Sequence, residues 1–223
     1  MHKALIVFAK VPRPGEVKTR LSPVLTPEES ARLYRAFLLD ALDQYQRLRA
    51  DVRLYLAGMK QGQDLDFLPD AIRPLPQTGD GLGLRMKQAF DETFSAGYER
   101  ACVLGTDHPT LPSGFVRQAF KSLDATSSIC IGPSDDGGFY LLGMSQRYPS
   151  LFEEMTYSHD RVFANTLARA STTRARLTVL PRWYDVDTPE TLRRMIGDLK
   201  GQEEAAPHTC EAVRELQLMK IAT

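Results

Sequence analysis

The stretch ALIVFA at residues 4–9, followed by KVPRPGEVKTRLSP at 10–23 and TPEESARLYRAFLLDALDQYQRL at 26–48, decides the fold. Six consecutive apolar residues without polar alternation describe a strand covered on both faces, as in a parallel sheet under helices. Pro12, Pro14 and Gly15 then forbid a regular element. Three helix-start signals coincide next. Thr26 caps, Pro27 takes the first helical position, and Glu29 closes a capping box. Ala31, Tyr34, Leu38, Ala41, Tyr45 and Leu48 recur at three- and four-residue spacing and predict one buried helix face.

The alternation continues outward from this unit. Val52–Ala57 reads as a strand, and Leu84–Tyr98 as a helix with Met86, Phe90 and Phe94 on one side. Ala101–Leu104 is a short buried strand, Phe115–Leu123 a helix, and Ile129–Ile131 a strand. Phe139–Leu142 is a further strand, antiparallel or kinked because only a short glycine-containing turn precedes it. Asp160–Ala170 suits a helix and Leu177–Leu180 a strand; Thr188-Pro189-Glu190 opens a last helix through about Leu199. Strands alternating with helices predict an α/β fold with a mostly parallel central sheet and helices on both faces. The segment GQEEAAP at 201–207 reads as a hinge, dividing the chain into a domain at 1–200 and a C-terminal tail at 201–223.

Composition narrows the function. The 28 Lys and Arg balance the 28 Asp and Glu, so no global field draws nucleic acid or an acidic membrane, and any anion must be held by local groups. Cys102, Cys130 and Cys210 are odd in number and lack C-x-x-C spacing. The first two sit in apolar runs and read as reduced core residues, which fits a cytoplasmic location. The run Ala4–Ala9 is too short for a signal-peptide core, and nothing approaches the roughly 20 apolar residues of a membrane span. The oligomeric state is not legible.

In an open parallel sheet, ligands bind beyond the carboxyl ends of the strands. Four polar motifs fall at such places. Residues 10–21 present Lys10, Arg13, Lys18 and Arg20 on a loop stiffened by proline, which suits phosphate, although the Walker A order is absent and a solvated basic loop would look the same. QTGDGLGLR at 77–85 has glycines at alternate positions, allowing close backbone approach to a flat ligand, or simply a turn before the next helix. GTDHP at 105–109 puts Asp107 at a strand end, where a carboxylate can hold Mg²⁺ or Mn²⁺ or cap a turn. SDDGGFY at 134–140 either presents a carboxylate and backbone N–H groups to a hydroxylated substrate or forms a hairpin turn. In a fifth motif, WYDVDTPE at 183–190, Asp187 precedes the last helix and is either a second metal carboxylate or a helix-end group.

Taken in order, AKVPRPGEVKTRLSP, GDGLGLRM, LGTDHPTLP, PSDDGGFYLLG and DVDTPETL resemble the GT-A-like family of uncharacterised glycosyltransferases, including the arsenosugar-biosynthesis type associated with radical-SAM proteins. The similarity spans about residues 3–199 and extends distantly to phospholactate guanylyltransferase and the molybdenum-cofactor nucleotidyltransferases. It implies a Rossmann-like nucleotide-diphospho-sugar transferase fold and a metal-dependent transferase using a nucleotide-activated sugar and a small-molecule acceptor. Nucleotidyl transfer from an NTP and non-catalytic nucleotide binding are the alternatives. Lys18, Arg20 and Asp107 are the implied catalytic residues. Lys18, Arg20, Gln77, Gly79 and Asp80 are implied on the nucleotide side, and the basic and glycine-rich motifs add Lys10, Arg13 and Gly83 to that expectation. Asp136, Gly137 and Gly138 are implied on the acceptor side, and Asp107 and Asp187 as ligands of Mg²⁺ or Mn²⁺. Tyr157-Ser158-His159 and His108 depart from the family pattern.

Overall fold

The computed structural model describes residues 2–60, 62, 65–201 and 203–221. The expected first strand, β1 (Lys3–Lys10), pairs in parallel with β2 (Asp51–Ala57) and with β4 (Arg100–Leu104). The outer edge beyond β2 is β3 (Leu75–Pro76). On the other side follow β6 (Phe139–Met144), β5 (Ser128–Pro133) and β7 (Arg176–Val179), giving the order β3-β2-β1-β4-β6-β5-β7. Among these seven strands only β6 runs against its neighbours. The short turn after β5 leaves no length for a crossover, so β6 must return alongside it as a hairpin.

Side-chain alternation along β1 explains why both faces are covered. Leu5, Val7 and Ala9 pack with α1 (Pro27–Gln46) and α3 (Ser113–Ser122), while Ile6 packs with α2 (Gly81–Ser95) and, through Ala170, α4 (Val162–Ser171). Each fully buried Leu, Ile or Phe contributes about 1.5–3 kcal/mol. The helix α1 is covered on two sides. Leu38, Leu42 and Tyr45 meet the sheet, whereas Leu33, Tyr34 and Phe37 join a second cluster with Leu192, Met195 and Ile196 of α5 (Pro189–Asp198). The capping box holds as read: the Glu29 N–H donates to Thr26 Oγ1 and the Thr26 N–H to the Glu29 carboxylate.

Two boundaries differ from expectation. The strand Leu75–Pro76 was not anticipated, since two residues including a proline carry no periodicity. The helix expected from Leu84 begins at Gly81. Glycine weakens helix propensity, but here the absent side chain at Gly83 makes room for the Tyr157 ring, so tertiary packing overrides the local signal.

The C-terminal segment is packed against the body. Its helix α6 (Pro207–Glu215) lies on α1 and buries Ala212 and Val213. The buried Asp40 carboxylate of α1 accepts from the His208 and Thr209 N–H groups at 2.9 and 2.7 Å. A helix on one side of the molecule thus caps another from a distant part of the chain. Gln202, Ala222 and Thr223 of the expected hinge and tail lie outside the described residues.

Candidate active site

A cavity of about 520 Å³ opens beyond the carboxyl ends of β1 and β4, at the position the sheet topology favours for ligands. Its polar floor comes from three separate segments. Lys18 follows β1, Asp107 follows β4, and Asp185 and Asp187 follow β7. Val186 is fully buried between those two aspartates, and its N–H donates to the Asp107 carbonyl at 2.8 Å, which ties the second segment to the third.

The side chain of Lys18 is only 3% exposed, and its ammonium bridges the carboxylates of Asp107 and Asp187, the latter at 2.8 Å. Lys18 adopts a left-handed backbone conformation, φ +49°, which a non-glycine residue adopts at a cost. That geometry aims the side chain inward from a loop otherwise facing solvent. Its Nζ also lies 5.7 and 5.8 Å from the ring centres of Tyr34 and Phe37. Burial acts against the ammonium, but the two carboxylates outweigh it and raise its pKa above the ordinary lysine value. Burial likewise pushes Asp107 upward, and the Lys18 charge overcomes this to hold the carboxyl below the usual range. Asp185 is pushed up to about 7 by burial and by the neighbouring Asp107 charge, and it accepts from Ser134 Oγ at 3.2 Å. The lining thus holds three carboxylates, Asp107, Asp185 and Asp187, together with three cations, Lys10, Lys18 and Arg85.

The other anticipated residues divide into two groups. Lys10 and Gln77 line the cavity. Gln77 donates both amide protons, to the carbonyls of Ala9 and Tyr55 at 3.0 Å each, and so fastens the ends of β1 and β2. Arg13 lies outside the lining and pairs with Glu16, and Arg20 is exposed and also outside it. Gly79 (φ +110°) and exposed Asp80 form the turn into α2; the Gly79 carbonyl accepts from Arg85, which does line the cavity. Gly83 sits beneath the Tyr157 ring. Asp136, Gly137 and Gly138 form the β5–β6 turn outside the cavity lining, with the Gly138 N–H donating to the Asp136 carboxylate at 2.9 Å. Gly137 has φ +88° and packs so closely on the Asp160 carbonyl that a Cβ has no space.

Sequence reasoning passed over Arg85, Tyr140, Ser158, Asp185 and His108, all of which line the cavity. None of the five is among the expected site residues; Ser158 and His108 enter the sequence reading only as departures from the family pattern. Asp185 carried a usable signal, since the alternation Asp-Val-Asp puts both carboxylates on the side opposite a core valine. His108 is buried, edge-on to Tyr140, and its neutral form is favoured because burial lowers its pKa to about 4.

This sheet order, with one reversed strand, matches the nucleotide-diphospho-sugar transferase fold. Over residues 40–159 the chain matches the model of a family described as uncharacterized proteins conserved in bacteria (DUF2064), and it belongs to that family. It is similar to a structure from Desulfovibrio desulfuricans G20 provisionally named as a nucleotide-diphospho-sugar transferase, with 31% identity, a TM-score of 0.90, and coverage of 98% of this chain and 96% of that one. The 4-diphosphocytidyl-2C-methyl-D-erythritol synthase of Anaerococcus prevotii shares the fold at 12% identity and TM-score 0.54, covering 90% and 96%. CMP:2-keto-3-deoxy-manno-octonic acid synthetase, complexed with CTP, does so at 11% identity and TM-score 0.51, covering 91% and 100%. No curated protein matches the chain. Among the described residues, no helix is long and apolar enough to cross a membrane.

Proposed function

We propose that the chain is a metal-dependent transferase that binds a nucleotide-activated sugar in this cavity and transfers the sugar to a small-molecule acceptor. The observation that carries the reading is the bridge of Lys18 to Asp107 and Asp187 on the floor of a cavity at the strand ends. The donor set suits Mg²⁺ or Mn²⁺. Asp107 and Asp187 offer only oxygen, and their side chains remain 41% and 38% exposed, so each keeps an open side. Among the described residues no group of three or more His, Cys, Asp or Glu side chains is placed to hold a metal ion by itself. A hard cation there would be held by the two carboxylates and completed by water and phosphate oxygens. When bound, the cation would neutralise charge on the diphosphate leaving group.

The residues of the chain do the rest. Lys18 sets the spacing and orientation of the two carboxylates. Lys10 and Arg85 line the same cavity and supply positive charge toward phosphate. With both amide protons of Gln77 engaged by carbonyls, its side-chain oxygen is oriented to accept from a ligand. Buried Tyr140 and His108 close the floor against bulk water.

Thermal-shift titration with NDP-sugars and with NTPs at fixed Mn²⁺ tests the reading. A ligand at 100 times its Kd should stabilise the native chain by about 2.7 kcal/mol. Asp107→Asn keeps the side-chain size but removes the charge and should abolish the Mn²⁺-dependent part; Asp187→Asn should weaken it less. Unchanged nucleotide affinity in Asp107→Asn rejects the metal assignment. Release of NDP from an NDP-sugar supports glycosyl transfer, whereas release of pyrophosphate from an NTP and a sugar phosphate replaces it with nucleotidyl transfer.

A further inference from the structure

The amino ends of the parallel strands, opposite the cavity just described, frame a second hollow of about 460 Å³. Lys3 opens β1 and Arg100 opens β4, so these two side chains stand at the far ends of the strands that lead to Lys10 and Asp107. Arg47 and Arg49 reach the hollow from the turn between α1 and β2, and Arg117 and Lys121 from α3. Against six cations the lining holds one carboxylate, Asp124, which pairs with Arg100. Among the described residues, Lys3, Arg47, Arg49, Arg117 and Lys121 form no ion pair.

In a chain whose formal charges sum to zero, five cations without carboxylate partners around one depression are a local concentration of charge, and each raises the electrostatic energy of the others. We propose that this hollow is a binding site for a small anion carrying several phosphate charges, separate from the cavity at the strand carboxyl ends. The size matches a small-molecule pocket. Four of the six cations are arginines, whose planar fork suits phosphate oxygens. The lining also includes apolar Leu48, Ala50 and Phe120, with Lys3 Nζ held 5.4 Å from the Phe120 ring centre. A concave site lined by both apolar side chains and cations suits a compact ligand, whereas a duplex or a bilayer surface calls for a broad, flat or ridged basic face. The inference does not depend on the function proposed for the first cavity.

Inorganic triphosphate is the probe, used on the full chain without divalent cation and followed by backbone amide NMR shifts at near-physiological salt. Saturable shifts centred on Lys3, Arg49, Arg100 and Lys121 are expected. Arg47→Glu with Lys121→Glu, both at exposed positions, should weaken that binding by roughly tenfold or more per charge reversed, with a native far-UV circular dichroism spectrum. The fitted affinity should fall steeply with added salt. Shifts confined to Lys10, Lys18 and Asp107, or unchanged affinity in the double variant, would overturn the proposal. So would preferential binding, through the same residues, of a single-stranded oligonucleotide or of vesicles rich in phosphatidylserine.

Discussion

Replacing Lys18 with Met tests the organisation of the acidic floor directly. Met retains most of the aliphatic stem and its contacts near Tyr34 and Phe37 while deleting the ammonium. The native side chain makes two charge-assisted contacts, to Asp107 and to Asp187. Breaking a buried ion pair by removing one partner costs about 3–5 kcal/mol, because the remaining charge is left uncompensated. Two features reduce that figure here: both carboxylates are more than a third exposed and can be partly rehydrated, and Met escapes the desolvation that Lys18 bears. A loss of roughly 2–3 kcal/mol follows, or a melting temperature lower by about 4–12 °C for a chain of this length. Differential scanning calorimetry without divalent ions measures it. A double-mutant cycle with Asp107→Asn should give a coupling above about 1 kcal/mol, since the two groups share one interaction. Mn²⁺ should then stabilise Lys18→Met more than the native chain, because a cation can enter the space the ammonium held. A melting temperature unchanged from native, with coupling below roughly 0.5 kcal/mol, would show that the ammonium does not hold the carboxylates and would refute the reasoning.

Three further outcomes follow from the packing. Gly137→Ala combines a left-handed φ with a Cβ driven onto the Asp160 carbonyl and should destabilise by roughly 2–5 kcal/mol in urea unfolding, whereas Gly15→Ala, whose Cβ meets nothing within 4 Å, should lose only the conformational part. Asp40→Ala strips the acceptor from the N–H groups of His208 and Thr209 and should cost about 2–3 kcal/mol, with proteolytic nicking appearing first just before α6; nicking elsewhere would argue against this cap. Burial raises the pKa of all three thiols, Cys130 to about 11 and Cys102 well above its ordinary value, but only Cys210 is partly open to solvent, so a thiol reagent at pH 8 should label Cys210 and leave the other two until the chain is unfolded.

Much of the architecture was written locally. The apolar run at 4–9, the capping box at Thr26 and the spacing from Ala31 to Tyr45 each depend on nearest neighbours in the chain, and each was read with small boundary errors. The hairpin character of β6 followed from the short turn before it. Where local signals conflicted with distant packing they misled, as at Gly81 and Gly83, whose helical state depends on a tyrosine from another loop.

The acidic floor shows the same division more sharply. Residue type and position after a strand single out Lys18, Asp107 and Asp187, because ligands of an open parallel sheet bind beyond the carboxyl ends of its strands. Their roles toward one another were not legible. The expectation put Lys18 on the phosphate side and the two aspartates around a metal; the fold adds a contact that expectation did not include, the Lys18 ammonium between those carboxylates. Arg20, two residues on in the same basic motif, points to solvent because the left-handed turn at Lys18 sends consecutive side chains to different sides. Asp187 is 169 residues from Lys18 along the chain. No local pattern encodes a distance across such a separation; it is established only when β1, β4 and the segment after β7 are brought into one sheet and packed.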